Sequence, residues 1–411
     1  MTNKFTAVDL LGKHGFGVEN LPYGSVYIEE NTVPRVVVRL GDHAIDLGFL
    51  ESTIGGLSSK AKDTVTDQPT IDALLAAGRP IWSELRNWLT HIFTNPSHTA
   101  AVKAAATSVS DVNMAMPFTV GDYVDFYASE NHATNIGRIL RPNEEPLKPN
   151  WKHLPVSYHG RASTVFISGT PVRRPKGIRP EKDANPSFGP SRKLDIEAEI
   201  GFIVGGSAPQ GEVSLAEAAE NHLFGAVLFN DWSARDIQAF EFVPLGPNLS
   251  KSFASTISAW VVPWEALDAA RVMPPSRDKA LLPYLDDSDA DPYGLDISVE
   301  IHIDDQHVST APYSTMYWTA PQMLAHMTVN GAAIRPGDFF GSGTISGSEP
   351  NQRGSLMEMT LGGKVPLIAS TGENFSYLRD GQQVTLRGSA PGPGESIISF
   401  GECTATVLPA T

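Results

Sequence analysis

The stretch 194–202, LDIEAEIGF, alternates without a break. Leu194, Ile196, Ala198, Ile200 and Phe202 share one parity; Asp195, Glu197 and Glu199 share the other. A β-strand repeats every two residues, so the pattern predicts a strand over 194–204 with one apolar face and both glutamates pointing the same way. A second apolar run, 224–229, reads as a buried strand. Asp231 then lies where a strand runs out into a loop, a usual place for a carboxylate held by a rigid scaffold. Arg235, Gln238 and Lys251 follow within 230–252 (NDWSARDIQAFEFVPLGPNLSKS). An acid, a guanidinium, an amide and an ammonium in one segment suit a site that handles negative charge.

Upstream, 121–135 (GDYVDFYASENHATN) contributes Asp125. If Asp125 joins Glu197, Glu199 and Asp231, four carboxylates meet, and they cannot all stay ionised without a cation among them. Oxygen-only ligation suits a hard divalent ion, Mg²⁺ or Ca²⁺, and not zinc.

Strands over 26–28, 35–40 and 44–47 precede helices over 70–77 and 81–93. The second helix carries Ile81, Trp82, Leu85, Trp88, Leu89, Ile92 and Phe93 on one stripe. The Ala-rich stretch 99–113 reads as a connection, and a domain boundary is placed at 116. Beyond it, strands are expected over 165–168, 194–204, 225–229, 258–262, 297–303, 384–386, 396–399 and 404–408, with helices over 215–222 and 320–329. Asp380-Gly381 reads as a hairpin turn. Strands outnumber helices and do not alternate with them, which predicts an α+β chain that is mostly β, not a doubly wound sheet. Two long Pro- and charge-rich stretches, 141–155 and 171–192, are expected as loops over the site. The segment 271–294 reads as surface.

A net charge of -15 and a pI near 5.2 offer no basic stripe to nucleic acid, so an anion must be captured by local Arg and Lys. The single cysteine, Cys403, excludes an intrachain disulfide and fits a reducing, cytoplasmic compartment. Asp9 interrupts the N-terminal stretch before a signal-peptide core develops, and no apolar run approaches the ~20 residues that span a bilayer. Nucleophile-elbow, P-loop, H-E-x-x-H and C-x-x-C motifs are absent. The glycines of 341–347 are not a dinucleotide fingerprint; they read as backbone brought close to a ligand, with Thr344 as a candidate contact.

These blocks, together with NLPYG at Asn20, IDL at Ile45, PNWKHLPVSYHGRAS from Pro149, VPLGPNLSKSF, SGTISGSEP and GSLMEM, occur in one collinear order over nearly the whole chain. In this the chain resembles the fumarylacetoacetase family, hydrolases that cleave a carbon–carbon bond at the end of tyrosine breakdown. The resemblance implies a small SH3-like N-terminal β domain with connecting helices (1–116) and a catalytic mixed β-sandwich roll (117–411), paired as a homodimer. It implies Asp125, Glu197, Glu199 and Asp231 as metal ligands. It also implies His132 as the base that activates water, partnered by Glu358, although Glu358 alone could equally be an exposed strand residue. Arg235, Gln238 and Lys251 are implied as donors to the alkoxide, and Tyr127, Arg141 and Tyr158 as contacts to the charged end of a diketo acid. Familiar members carry a tyrosine where this chain has Phe242, from which tuned affinity is expected. Two alternatives share parts of this pattern: a decarboxylase or isomerase of the same superfamily, and a Ca²⁺-dependent binding module. The second leaves His132, Arg235, Gln238 and Lys251 unexplained.

Overall fold

The computed structural model describes residues 6–11, 14–28, 33–182, 185–209 and 211–411. Its central layer is an eight-stranded sheet. The strand order is Ser157–His159, Tyr123–Phe126, Phe339–Gly341, Ala198–Val204, Leu223–Asp231, Ser255–Ile257 and Val165–Ile167, with Val262–Pro263 also pairing to Leu223–Asp231. On one face Ala198, Ile200, Phe202, Ala226 and Leu228 pack into a cluster shared with Val299, Ile301, Val384, Leu386 and Phe400 of a five-stranded sheet. On the other face Ile203, Val227, Phe229 and Phe339 join a cluster with Ile45, Trp82, Leu85 and Leu89 of the N-terminal segment. The run 224–229 is continuously apolar because both faces of its strand are covered. Gly201 is needed where it stands, since a Cβ there would lie 2.2 Å from Phe339 Cζ.

The N-terminal segment builds a five-stranded antiparallel sheet in the order Ala106–Ser108, His43–Asp46, Arg35–Leu40, Tyr23–Tyr27, Asn113–Ala115. Asp46 caps the following helix, Leu47–Ile54, by accepting from Phe49 N at 3.0 Å. Helix Arg79–Thr94 buries the expected stripe, with Trp88 half-buried. The stretch 99–113 is not a bare connection. It forms helix Thr99–Ala105 and supplies the edge strand Ala106–Ser108, and Asn113–Ala115 closes the sheet's other edge. These three-residue strands exist through pairing with distant partners (Ala44 opposite Thr107, Val26 opposite Met114), which local pattern does not encode.

Several expected boundaries move. The strand 194–204 is two pieces: Leu194–Asp195 pairs with Ser233–Ala234, while Ala198–Val204 pairs with Leu223–Asp231. The strand expected over 258–262 is replaced by two short ones, Ser255–Ile257 just before it and Val262–Pro263 overlapping only its last residue. The two C-terminal strands are one, Ile397–Leu408, whose irregular pairing falls at Gly401 (φ 75°). The Asp380-Gly381 turn joins no paired strands; Gly381 N–H reaches Val407 O at 2.8 Å. The described residues of 171–192 do not form a loop over the site. Their strands Lys176–Arg179 and Ser187–Pro190 pair as a hairpin that backs helix Arg235–Glu241: a Cβ on Gly177 would touch Ile237, and Ser191 Oγ donates to Asp236 at 2.6 Å. Among the described residues, no helix is long and apolar enough to cross a membrane.

Candidate active site

Sheet register gathers the carboxylates. Asp125 lies opposite Gly341, Gly341 lies opposite Gly201, and Ala198 lies opposite Asn230, so neighbouring strands bring Asp125, Glu197, Glu199 and Asp231 to one place. One oxygen from each lies within 4.8 Å of the others, and all four residues are buried. Gly341 makes the room: a Cβ there would meet Asp125 Oδ1 at 2.7 Å and Glu199 Oε2 at 2.8 Å. Burial and the neighbouring carboxylates push the Asp125 and Glu199 carboxyls well above the usual range. Asp125 Oδ1 and Glu199 Oε1 are buried without a hydrogen-bond partner. Orphaned, acceptor-only oxygens converging in this way fit a hard divalent cation, which would satisfy them and lower both carboxyls again.

Two cations stand beside the cluster. Lys251 Nζ donates to Glu197 Oε2 and, at 2.7 Å, to Asp231 Oδ2. Arg235 donates through Nη1 to Glu197 Oε1 (2.8 Å) and Gln238 Oε1 (3.1 Å), and through Nε to Asp195 Oδ2 (2.8 Å). Burial alone would raise the Glu197 carboxyl, but Lys251 and Arg235 outweigh it and hold the carboxyl below its ordinary range. Arg235 Nη2 is buried without a partner.

His132 sits in the first turn of helix Glu130–Leu140, where its backbone N–H donates to the Ser129 cap at 3.2 Å. Its Nδ1 is 2.7 Å from Glu358 Oε2. Glu358 is not on an exposed strand. It lies fully buried in the short helix Leu356–Met359 and also accepts from Asn135 Nδ2 (3.0 Å), Ser346 Oγ (2.9 Å) and Ser355 Oγ (2.8 Å). Burial would raise the Glu358 carboxyl; His132 and these donors hold it below its usual value, as a carboxylate. A carboxylate on Nδ1 fixes the proton there and leaves Nε2 as the basic nitrogen.

A cavity of about 370 Å³ opens onto this constellation, lined in part by Asp125, Tyr127, His132, Arg141, Tyr158, Glu197, Arg235, Gln238, Phe242, Lys251 and Thr344. The Tyr127 ring meets His132 edge-on, with centroids 5.2 Å apart. Thr344 Oγ1 and Arg141 Nε are buried without hydrogen-bond partners, while Arg141 Nη2 is held by Pro146 O at 3.0 Å. Tyr158 OH is already engaged, donating to Asp231 Oδ2 at 2.8 Å. Of the two expected covering loops, 141–155 borders the cavity at Arg141; none of the described residues of 171–192 lines it.

Residues 19–117 match the family model described as fumarylacetoacetase N-terminal, and residues 123–408 match fumarylacetoacetate (FAA) hydrolase C-terminal. The chain belongs to the fumarylacetoacetase family. Curated fumarylacetoacetases from Homo sapiens (41% identical, 96% of each chain covered) and Arabidopsis thaliana (42%, 98% of each) are similar to it from end to end. Among solved structures, a fumarylacetoacetate hydrolase from Exiguobacterium antarcticum shares the fold at 15% identity. Its TM-score is 0.54, with 95% of this chain and 99% of that one covered. A maleylpyruvate hydrolase from Sphingobium is similar at 13% identity and a TM-score of 0.53, covering 95% and 100%.

Beyond the residues singled out from sequence, this fumarylacetoacetase-family site uses Asp195, Asn135, Ser346 and Ser355 as partners of Arg235 and Glu358. Asn135 lies one helical turn after His132, a spacing that would have pointed to it had Ser129-Glu130 been read as a helix start. Ser346 and Ser355 carry no such local signal.

Proposed function

We propose that the chain hydrolyses 4-fumarylacetoacetate to fumarate and acetoacetate. The observation that carries this reading is one cavity lined by His132, whose Nδ1 is held by Glu358, by Asp125 and Glu197 of the four-carboxylate cluster, and by Arg235. His132 Nε2 takes a proton from water as the oxygen adds to the fumaryl carbonyl carbon. Glu358 stabilises the imidazolium that forms. The alkoxide receives donors from Arg235 Nη2, from the Gln238 amide nitrogen, whose oxygen is occupied by Arg235, and from the Lys251 proton not committed to Glu197 or Asp231. The bond between the carbonyl carbon and the methylene then breaks, and the His132 imidazolium returns its proton to the departing carbon. A Mg²⁺ or Ca²⁺ ion held by Asp125, Glu197, Glu199 and Asp231 supplies Lewis-acid stabilisation of the charge that develops.

Tyr127, Arg141 and Thr344 hold the substrate's far carboxylate and carbonyl, with Arg141 suited to a carboxylate. Tyr158 offers its ring and hydroxyl oxygen, since its proton goes to Asp231. Phe242 offers a ring without a hydroxyl. The SH3-like and roll descriptions, the division into 1–116 and 117–411, the homodimer and the cytoplasmic location belong to the same proposal and rest on the family resemblance. Proton NMR of a completed reaction tests the chemistry. Fumarate and acetoacetate in equal amounts are expected; carbon dioxide with a shortened diketone, or an isomer of unchanged mass, would point to the decarboxylase or isomerase reading.

A further inference from the structure

A guanidinium carries its N–H donors in a planar fork, so fixing two of its edges decides where the third points. Arg235 is fixed through Nη1 by Glu197 and through Nε by Asp195, which leaves Nη2 as its buried, unpartnered donor. Asp195 is 0% exposed and fully committed. Its Oδ1 accepts from Leu356 N (2.7 Å) and Ile196 N (2.8 Å), and its Oδ2 from Met357 N (3.0 Å) and Arg235 Nε (2.8 Å). Leu356 and Met357 open the helix whose next residue is Glu358, the partner of His132. The break after Leu194–Asp195 turns this carboxylate away from the Glu197–Glu199 cluster and toward both.

We propose that Asp195 is a positioning residue that ties the two halves of the site together, aiming Arg235 Nη2 at the developing alkoxide and seating the Glu358 helix against His132. The inference rests on the hydrolytic reading above. Asp195→Asn preserves shape but replaces one acceptor oxygen by an NH₂ that must face N–H donors, either those of Arg235 and Met357 or those of Leu356 and Ile196.

The test is kcat and KM per folded, metal-loaded site for Asp195→Asn, Arg235→Gln and the double variant, measured after the parent is shown to consume fumarylacetoacetate. Asp195→Asn is expected to lower kcat about 10²-fold, as for loss of one oxyanion donor. KM is expected to stay within about threefold, and the double variant to be no worse than about threefold below Arg235→Gln, because groups acting as a unit are not additive. A side chain that only stabilises the core would lower the melting temperature and leave kcat per folded site unchanged. That result, or losses that multiply, overturns the inference. If Asp195→Asn does not fold, Arg235→Lys carries the test. It keeps a cation for Glu197 but has no Nε–H for Asp195, and kcat within about threefold of the parent overturns the inference equally. An inactive parent defeats the hydrolytic reading and the inference with it; an active parent with multiplying losses defeats the inference alone.

Discussion

His132→Gln lowers kcat by about 10²–10⁴-fold, the range spanned by a positioned general base, while the bound metal stays at the parent level. The ring is one of two partners in a buried pair and is not among the four converging carboxylates. Glutamine keeps much of the volume and leaves nothing basic near neutral pH. Glu358→Gln also impairs turnover. The amide offers one acceptor where the carboxylate takes His132 Nδ1–H together with Asn135, Ser346 and Ser355, and its NH₂ must confront one of those donors. The double variant is expected to be little worse than His132→Gln, because the carboxylate acts through the imidazole. Measuring kcat for the three variants beside metal content decides the matter. Multiplying losses would mean independent roles, and metal loss in His132→Gln would make the histidine a ligand.

Removing the metal is expected to have the larger effect. Exhaustive chelation should bring turnover to background, and Mg²⁺ or Ca²⁺ should restore it, because Asp125 and Glu199 have orphaned oxygens that no hydrogen bond from the described residues satisfies. Asp231→Ala should lower metal affinity by more than about 10²-fold, exceeding the cost of losing an outer partner of a ligand. It strips Lys251, Tyr158 and Ser255 of a shared acceptor as well as removing one of the four converging carboxylates. Calorimetric titration of the variant with Mg²⁺ and Ca²⁺, alongside turnover, checks both. Full activity after chelation, or unchanged affinity in Asp231→Ala, would contradict this role for the cluster.

The carboxylate half of the site was the more legible in sequence. Period-two alternation put Glu197 and Glu199 on one side, and the end of an apolar run placed Asp231 at a strand terminus, where the sheet does hold them together. Alternation also placed Asp195 with the glutamates. The break before Ala198 sends it instead to Arg235 and the Glu358 helix, and no pattern within one strand encodes that break. The basic half was legible only through resemblance. His132 and Glu358 are separated by 226 residues, and each belongs to a helix not anticipated from hydrophobic period. Helix Leu356–Met359 is a single turn, too short to show a period. Helix Glu130–Leu140 announces itself by its Ser129 cap and the Glu130 that follows. The N-terminal edge strands Ala106–Ser108 and Asn113–Ala115 are three residues each, set by partners elsewhere in the chain.

Hydrolysis, decarboxylation and isomerisation differ in their proton balance. Water splitting the fumarylacetoacetate dianion yields fumarate and acetoacetate, together one negative charge richer, and so releases one proton. Isomerisation releases none, and loss of carbon dioxide from a carboxylate takes one up. Following diketone absorbance and proton release together in a weakly buffered solution of the metal-loaded chain therefore tests hydrolysis directly. The expected result is complete loss of the diketone band with one proton released per molecule consumed. An unchanged band, or a band lost without proton release, would contradict it.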